Sequence, residues 1–299
     1  MIIKSRIPPL YLLKELKIPL IYVSLIALLS GILPSHLGSL LSDIPISIAT
    51  TLGVAISILL SYKINQSYER WWEARKIWGE IVNDSRTLTL QLQLYLGKEN
   101  SEIQTISSRH MAWCYCLGQS LRKMDSTEVL KRKLITKDFE SVKNYKNKPL
   151  ALLSLQHSSL GKLYQFGDLD KFSQIQLEDT LKRLTASMGK CERIKNTVFP
   201  PIYKLGLHAS IYLFVIFLSL SVAFKLQHFL VEFFILIIVS LLFFFLEKAA
   251  FRMQDPFENV PTDIPVTSLA RNIESDIMEL LGKKLEPFPT EPVNKYYIL

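Results

Sequence analysis

IPISIATTLGVAISILLSY, Ile44 to Tyr62, is 19 residues without a charge, lying between Asp43 and Lys63. A helix crossing a bilayer needs roughly 17–25 mostly apolar residues, so this stretch is long enough to span, and Pro45 suits its first turn. Working outward, Ile18–Pro34 supplies 17 residues, Leu205–Phe224 supplies 20 and Phe229–Leu246 supplies 18. The first segment is expected to end at Pro34 and the turn-like Ser35-His36. The last carries Glu232 near one end, where a carboxylate can reach the interface. Four such segments in 299 residues, with 49% hydrophobic composition, exclude a disordered chain or a disulfide-stapled module. The reading is an all-α integral membrane protein with four transmembrane helices and a helical water-facing domain.

Lysine and arginine set the orientation. Lys4, Arg6, Lys14 and Lys17 precede the first segment, and Lys63, Arg70, Arg75 and Lys76 follow the second. Arg193, Lys195 and Lys204 precede the third, while Lys248 and Arg252 follow the fourth. The loop Ser35–Asp43 has no Lys or Arg, and the loop before Phe229 has only Lys225. Both termini and the Lys63–Lys204 region are therefore expected in the cytoplasm, with the chain a multi-pass protein of the cell (inner) membrane. Nothing at the start of the chain reads as a cleaved signal.

The segments divide the chain into an N-terminal cytoplasmic piece (1–17), helices 1 and 2 (18–62), a cytoplasmic domain (63–204), helices 3 and 4 (205–249) and a C-terminal cytoplasmic segment (250–299). The 63–204 region holds 24 Lys and Arg against 15 Asp and Glu, enough to account for the net charge of +8. Membrane lipid with anionic headgroups is the partner this charge suits; no motif points to nucleic acid. Trp71, Ala74, Trp78, Ile81 and Val82 recur at helical spacing, as do residues of Ile103–Met124 and Phe172–Ile194. A polar loop with Asn144, Asn147 and Pro149 is expected between the latter two, and the Pro-rich tail from Leu285 should be extended.

Motifs for catalysis are absent: there is no GxGxxG, GxxxxGK[ST] or GxSxG. The histidines are scattered, and Cys114, Cys116 and Cys191 form no CxxC pair, so they read as small buried residues. No reaction and no cofactor is implied. Inside Ile44–Tyr62, Ala49, Gly53, Ser57 and Ser61 form a small-residue stripe that would allow close helix contact. Beside it Thr50, Val54, Ile58 and Tyr62 stack on an adjacent face. If copies of this helix surround an axis, Val54, Ile58 and Tyr62 would make an apolar neck that gates by dewetting; facing lipid is the plainer alternative.

The stretch LGVAISILLSYKINQSYERWWEARKIWG, Leu52 to Gly79, resembles the second helix and neck of the bestrophin family of ion channels. DPFENVPTDIP, Asp255 to Pro265, matches a second family stretch in the expected order, and the resemblance extends to about Gly282. It implies a homopentamer whose neck is lined by Val54, Ile58 and Tyr62, with a cytoplasmic aperture at Ile175. It also implies passive conduction of small monovalent ions, chiefly chloride. Ile58 is aliphatic where animal members carry an aromatic residue, which leaves a cation-selective channel as an alternative. Asp255, Glu258 and Asp263 are too dispersed to suggest the calcium clasp of animal members, since calcium takes six to eight oxygens. A non-conducting membrane scaffold is the reading from another class.

Overall fold

The computed structural model describes residues 9–41, 44–197, 199–223 and 228–283; the side chains of 9–10, 12–13 and 32–41 stand outside that description. Its helices are α1 (Pro9–Leu41), α2 (Ile46–Leu96), α3 (Ser101–Leu121), α4 (Thr127–Lys133), α5 (Thr136–Val142), α6 (Lys148–Phe166), α7 (Lys171–Asn196), α8 (Pro201–Ala223), α9 (Phe229–Gln254) and α10 (Val266–Leu280). No strand occurs among the described residues.

The chain forms two compact units, Ser5–Arg70 with Val198–Asp255, and Trp71–Thr197 with Pro256–Leu299. The first gathers α1, α8 and α9, which contact one another pairwise. Val23, Ala27, Ala49, Ile56, Leu60, Ile211, Phe214, Val215 and Phe244 form its buried core. Here α2, α8 and α9 are long and apolar enough to cross a membrane. The expected span Ile18–Pro34 lies in α1 and runs into residues whose side chains are not described. Its expected stop at Pro34 is corrected: α1 continues to Leu41, so most of the expected Ser35–Asp43 loop is helical. A proline removes its own N–H bond and crowds one carbonyl, while the residues beyond it can keep theirs.

The second unit packs α3 against α6, α7 and α10, with α4 and α5 as short struts. Trp78, Ile81, Leu88, Leu92, Trp113, Leu117, Leu152, Leu181, Ile273 and Ile277 lie at its centre. The starts of α3, α6 and α7 are built from side-chain caps, which satisfy otherwise orphaned N–H groups. Asn100 accepts from the Glu102 N–H (2.9 Å), Asn147 from Leu150 (3.0 Å), and Asp170 from Phe172 (2.8 Å) and Ser173 (3.1 Å). Those hydrogen bonds, led by the Ser173 hydroxyl, hold the Asp170 carboxyl below the usual range. The expected polar loop is shorter than its composition suggested: Asn147 caps α6 and Pro149 sits in its first turn.

The largest departure concerns α2. The composition change at Lys63 read as an element boundary, but one 51-residue helix runs through it. A helix bonds its own backbone and does not need the same surroundings along its length. Upstream it is apolar on most sides; downstream Ala74, Trp78, Ile81, Leu88 and Leu92 keep an inward face with polar residues opposite.

Candidate functional site

Thr50, Val54, Ile58 and Tyr62 lie one turn apart on α2 and open onto a groove of about 720 Å³. Gly53, Ser57, Ser61, Asn65 and Phe243 complete its lining, and no charged side chain contributes. Val54, Ile58 and Tyr62 are 57%, 65% and 56% exposed, whereas Ile56 and Leu60 on the opposite face are fully buried. The helical period separates these two sets of apolar residues. The hydroxyls near the groove are largely spent on the backbone: Ser57 donates to the Gly53 carbonyl (2.8 Å) and Thr50 to that of Ile46 (3.1 Å). The Tyr62 hydroxyl accepts from the Gln66 amide at 2.7 Å. The result is an uncharged, largely apolar surface.

The small-residue stripe divides. Ala49 is buried within the chain, and a Cβ added at Gly53 would stand 3.2 Å from the Phe214 ring of α8. The first half thus receives an aromatic ring from the same chain, which tertiary packing decided and spacing did not reveal. Ser57 and Ser61 remain exposed.

Ile175 belongs to the other unit, half exposed in the first turns of α7 after the Asp170 cap. The three acidic candidates lie in separate settings. The Asp263 carboxylate is buried and accepts from the Asn259 N–H at 2.6 Å. Glu258 pairs with Lys195 at 2.9 Å, and Asp255 follows the last turn of α9, where its charge acts on Arg70. Among the described residues no group of three His, Cys, Asp or Glu is placed to hold a metal ion.

In the apolar unit His208 and Glu232 each have a partner. His208 Nδ1 lies 2.9 Å from Glu247. Glu232, expected at the interface, is instead buried and accepts from Ser30 at 3.2 Å. In the second unit His110 stacks on Trp113 and meets Ser85 at 2.8 Å; burial pushes its pKa down to about 4. The three cysteines are free and buried, and burial pushes Cys114 and Cys191 up to about 12 and Cys116 to about 11. Sequence reasoning missed Lys63 and Ser67, which are buried on the far side of α2 from the groove. In the sequence Lys63 is simply the first charge after an apolar run, and its partners lie far along the chain.

An all-helical chain with three helices fit to cross a bilayer, one of them turning an uncharged apolar groove outward, is a multi-span membrane protein. A family model described as bacterial/fungal bestrophin protein matches residues 6–279, and the chain belongs to the bestrophin family. It is 31% identical over 264 residues to the voltage-dependent anion channel-forming protein YneE of Escherichia coli O157:H7, covering 88% of this chain and 85% of that one. A voltage-dependent anion channel-forming protein of Ralstonia nicotianae is 28% identical over 246 residues, with 81% and 78% covered. The crystal structure of a bacterial bestrophin homolog from Klebsiella pneumoniae superposes with a TM-score of 0.82 at 26% identity, covering 89% of this chain and 98% of that one.

Proposed function

We propose that the protein is one subunit of a homopentameric channel that passes small monovalent anions, chiefly chloride, passively through the inner membrane. The observation that carries this reading is the groove on α2, where Val54, Ile58 and Tyr62 stay exposed beside a fully packed opposite face. Five such faces around an axis would bury these side chains in one lumen and form three uncharged rings. An ion crossing them sheds part of its water without a replacement ligand, so wetting of the neck controls conduction. The partly positive edge of the Tyr62 ring favours an anion there, while the aliphatic Ile58 contributes no such preference.

In this arrangement α1 supplies the fourth span, both termini and the Lys63–Lys204 region are cytoplasmic, and Ile175 forms a second aperture there. Lysine and arginine placement supports that orientation. The protein carries no catalytic function in this reading. The test is current through the purified protein in liposomes under asymmetric KCl. Reversal near the chloride equilibrium potential is expected. Reversal near that of potassium would assign a cation channel, and absence of current would leave a scaffold.

A further inference from the structure

On the side of α2 away from the groove, a cavity of about 280 Å³ is lined by Lys63, Gln66, Ser67, Glu69, Arg70, Phe199 and Gln254. Lys63 is 1% exposed, so its ammonium has left bulk water. A buried charge ordinarily finds an opposite charge, yet Lys63 forms no ion pair with any described residue. It donates to Gln254 Oε1 at 2.6 Å and lies 3.4 Å from the centre of the Phe199 ring and 4.9 Å from that of Phe251. Both kinds of partner are neutral. One turn on, Ser67 is also 1% exposed, and its hydroxyl has no hydrogen-bond partner among the described residues. Buried hydroxyls are nearly always bonded, so this one is a donor without a recipient.

Arg70 lines the same cavity, and its positive charge repels that of Lys63, with Asp255 offsetting Arg70 in part. Glu69, the carboxylate among the lining residues, is exposed and forms no ion pair with Lys63. Two cations and a free hydroxyl donor around a small partly enclosed space make a negative ligand favourable. The volume leaves room for a small ion that keeps part of its water.

We propose that this cavity binds a monovalent anion of the halide class, held by the Lys63 ammonium, the Ser67 hydroxyl and the Arg70 guanidinium. Binding itself does not require conduction. Its effect on ion preference rests on the channel reading: the cations stand one helix away from the lumen face, near enough for their potential to reach it.

Thermal unfolding of the full-length protein in detergent tests the site, in sodium chloride, sodium bromide and sodium gluconate of equal ionic strength. A ligand that binds only the folded state raises the midpoint, so halide should raise it by several degrees over gluconate. Lys63→Met should abolish that difference and Lys63→Arg should keep it. Ser67→Ala should raise the half-saturating halide concentration about tenfold to a hundredfold, the worth of one hydrogen bond to a charged partner. Should Lys63→Met fail to fold, bromide-soaked crystals of the parent decide: an anomalous peak within hydrogen-bond reach of Lys63 Nζ is expected. No halide effect in the parent, an effect retained in Lys63→Met, or no bromide peak overturns the site. A halide effect without current would remove the channel reading and leave the site standing; current without a halide effect would do the reverse. With both present, Lys63→Met should lower the chloride-to-potassium permeability ratio.

Discussion

Ile58 is the most exposed of the three groove residues, and it is the middle one. In a lumen built from this face it would form the ring farthest from polar groups at either end, and so the main obstacle to wetting. Ile58→Ser should therefore raise conductance or open probability in single-channel recordings. Ile58→Phe should move the reversal potential towards that of chloride by adding ring edges to the lumen. Leu59 lies roughly 100° around the same helix outside the groove, so Leu59→Ser should alter stability more than current. Current altered by Leu59→Ser alone would place the pore face elsewhere. A second single-residue effect follows from His110, whose pKa is held at about 4 against an ordinary 6.5. Between those values the unfolded chain takes up a proton that the folded chain refuses, so stability falls as pH is lowered from 6.5 and levels off below 4. The full swing is about 3 kcal/mol. In His110→Gln the unfolding midpoint should depend less steeply on pH across that window, and an unchanged slope would assign the acid sensitivity to other groups.

At the scale of elements, the two halves of the α2 stripe can be separated by substitution. Gly53 faces Phe214 of its own subunit, so Gly53→Leu should lower the unfolding midpoint through overpacking worth about 1–3 kcal/mol. Ser57 is exposed in the subunit, so Ser57→Leu should leave the isolated fold intact and disturb only what covers that surface in an assembly. Mass measurement in detergent after each change tells the two apart. A Ser57→Leu oligomer identical to the parent would place the subunit contact elsewhere. The apolar helices were legible in the sequence because a span is a matter of length and composition. The continuity of α2 was not, because Lys63 changes the composition while the backbone bonding goes on unbroken. α4 and α5 were also missed; each is 7 residues long, too short to establish a period. α6 was partly written in Asn147 and Pro149, which read as loop until their capping geometry is seen. The groove residues could be found from spacing alone. The Lys63 cavity could not, because it depends on Phe199 and Gln254, brought near only by folding.

For the whole molecule, the expected outcomes concern sidedness and copy number. Lys98 is exposed just past the end of α2, on the side that the basic excess assigns to the cytoplasm. A cysteine at Lys98 should resist impermeant thiol reagents in intact cells and react in inverted vesicles. The native Cys114, Cys116 and Cys191 are buried with raised pKa values, so they should stay unmodified in the folded protein and need not be removed. Labelling of Lys98→Cys from outside would invert the topology. The detergent-solubilised protein should have the mass of five chains; a stable monomer or dimer would end the ring arrangement. Neither count nor sidedness is written in the packing of one chain, since an exposed apolar groove carries no record of how many copies meet at it.

Trp78 and Ile81 fill one core from the same helix, α2, which runs unbroken from Ile46 to Leu96. A helix is a screw, and a residue inserted between them would turn everything beyond by roughly 100° and advance it by about 1.5 Å. Ala74 and Trp78 would keep their seats, while Ile81, Leu88 and Leu92 would swing out of phase with the core they share. A loop there would have taken up the extra residue in slack; α2 has none. The tally of residues along that face is therefore as constrained as their chemistry, and changes of length must be absorbed at turns such as the one from Gly97 to Asn100.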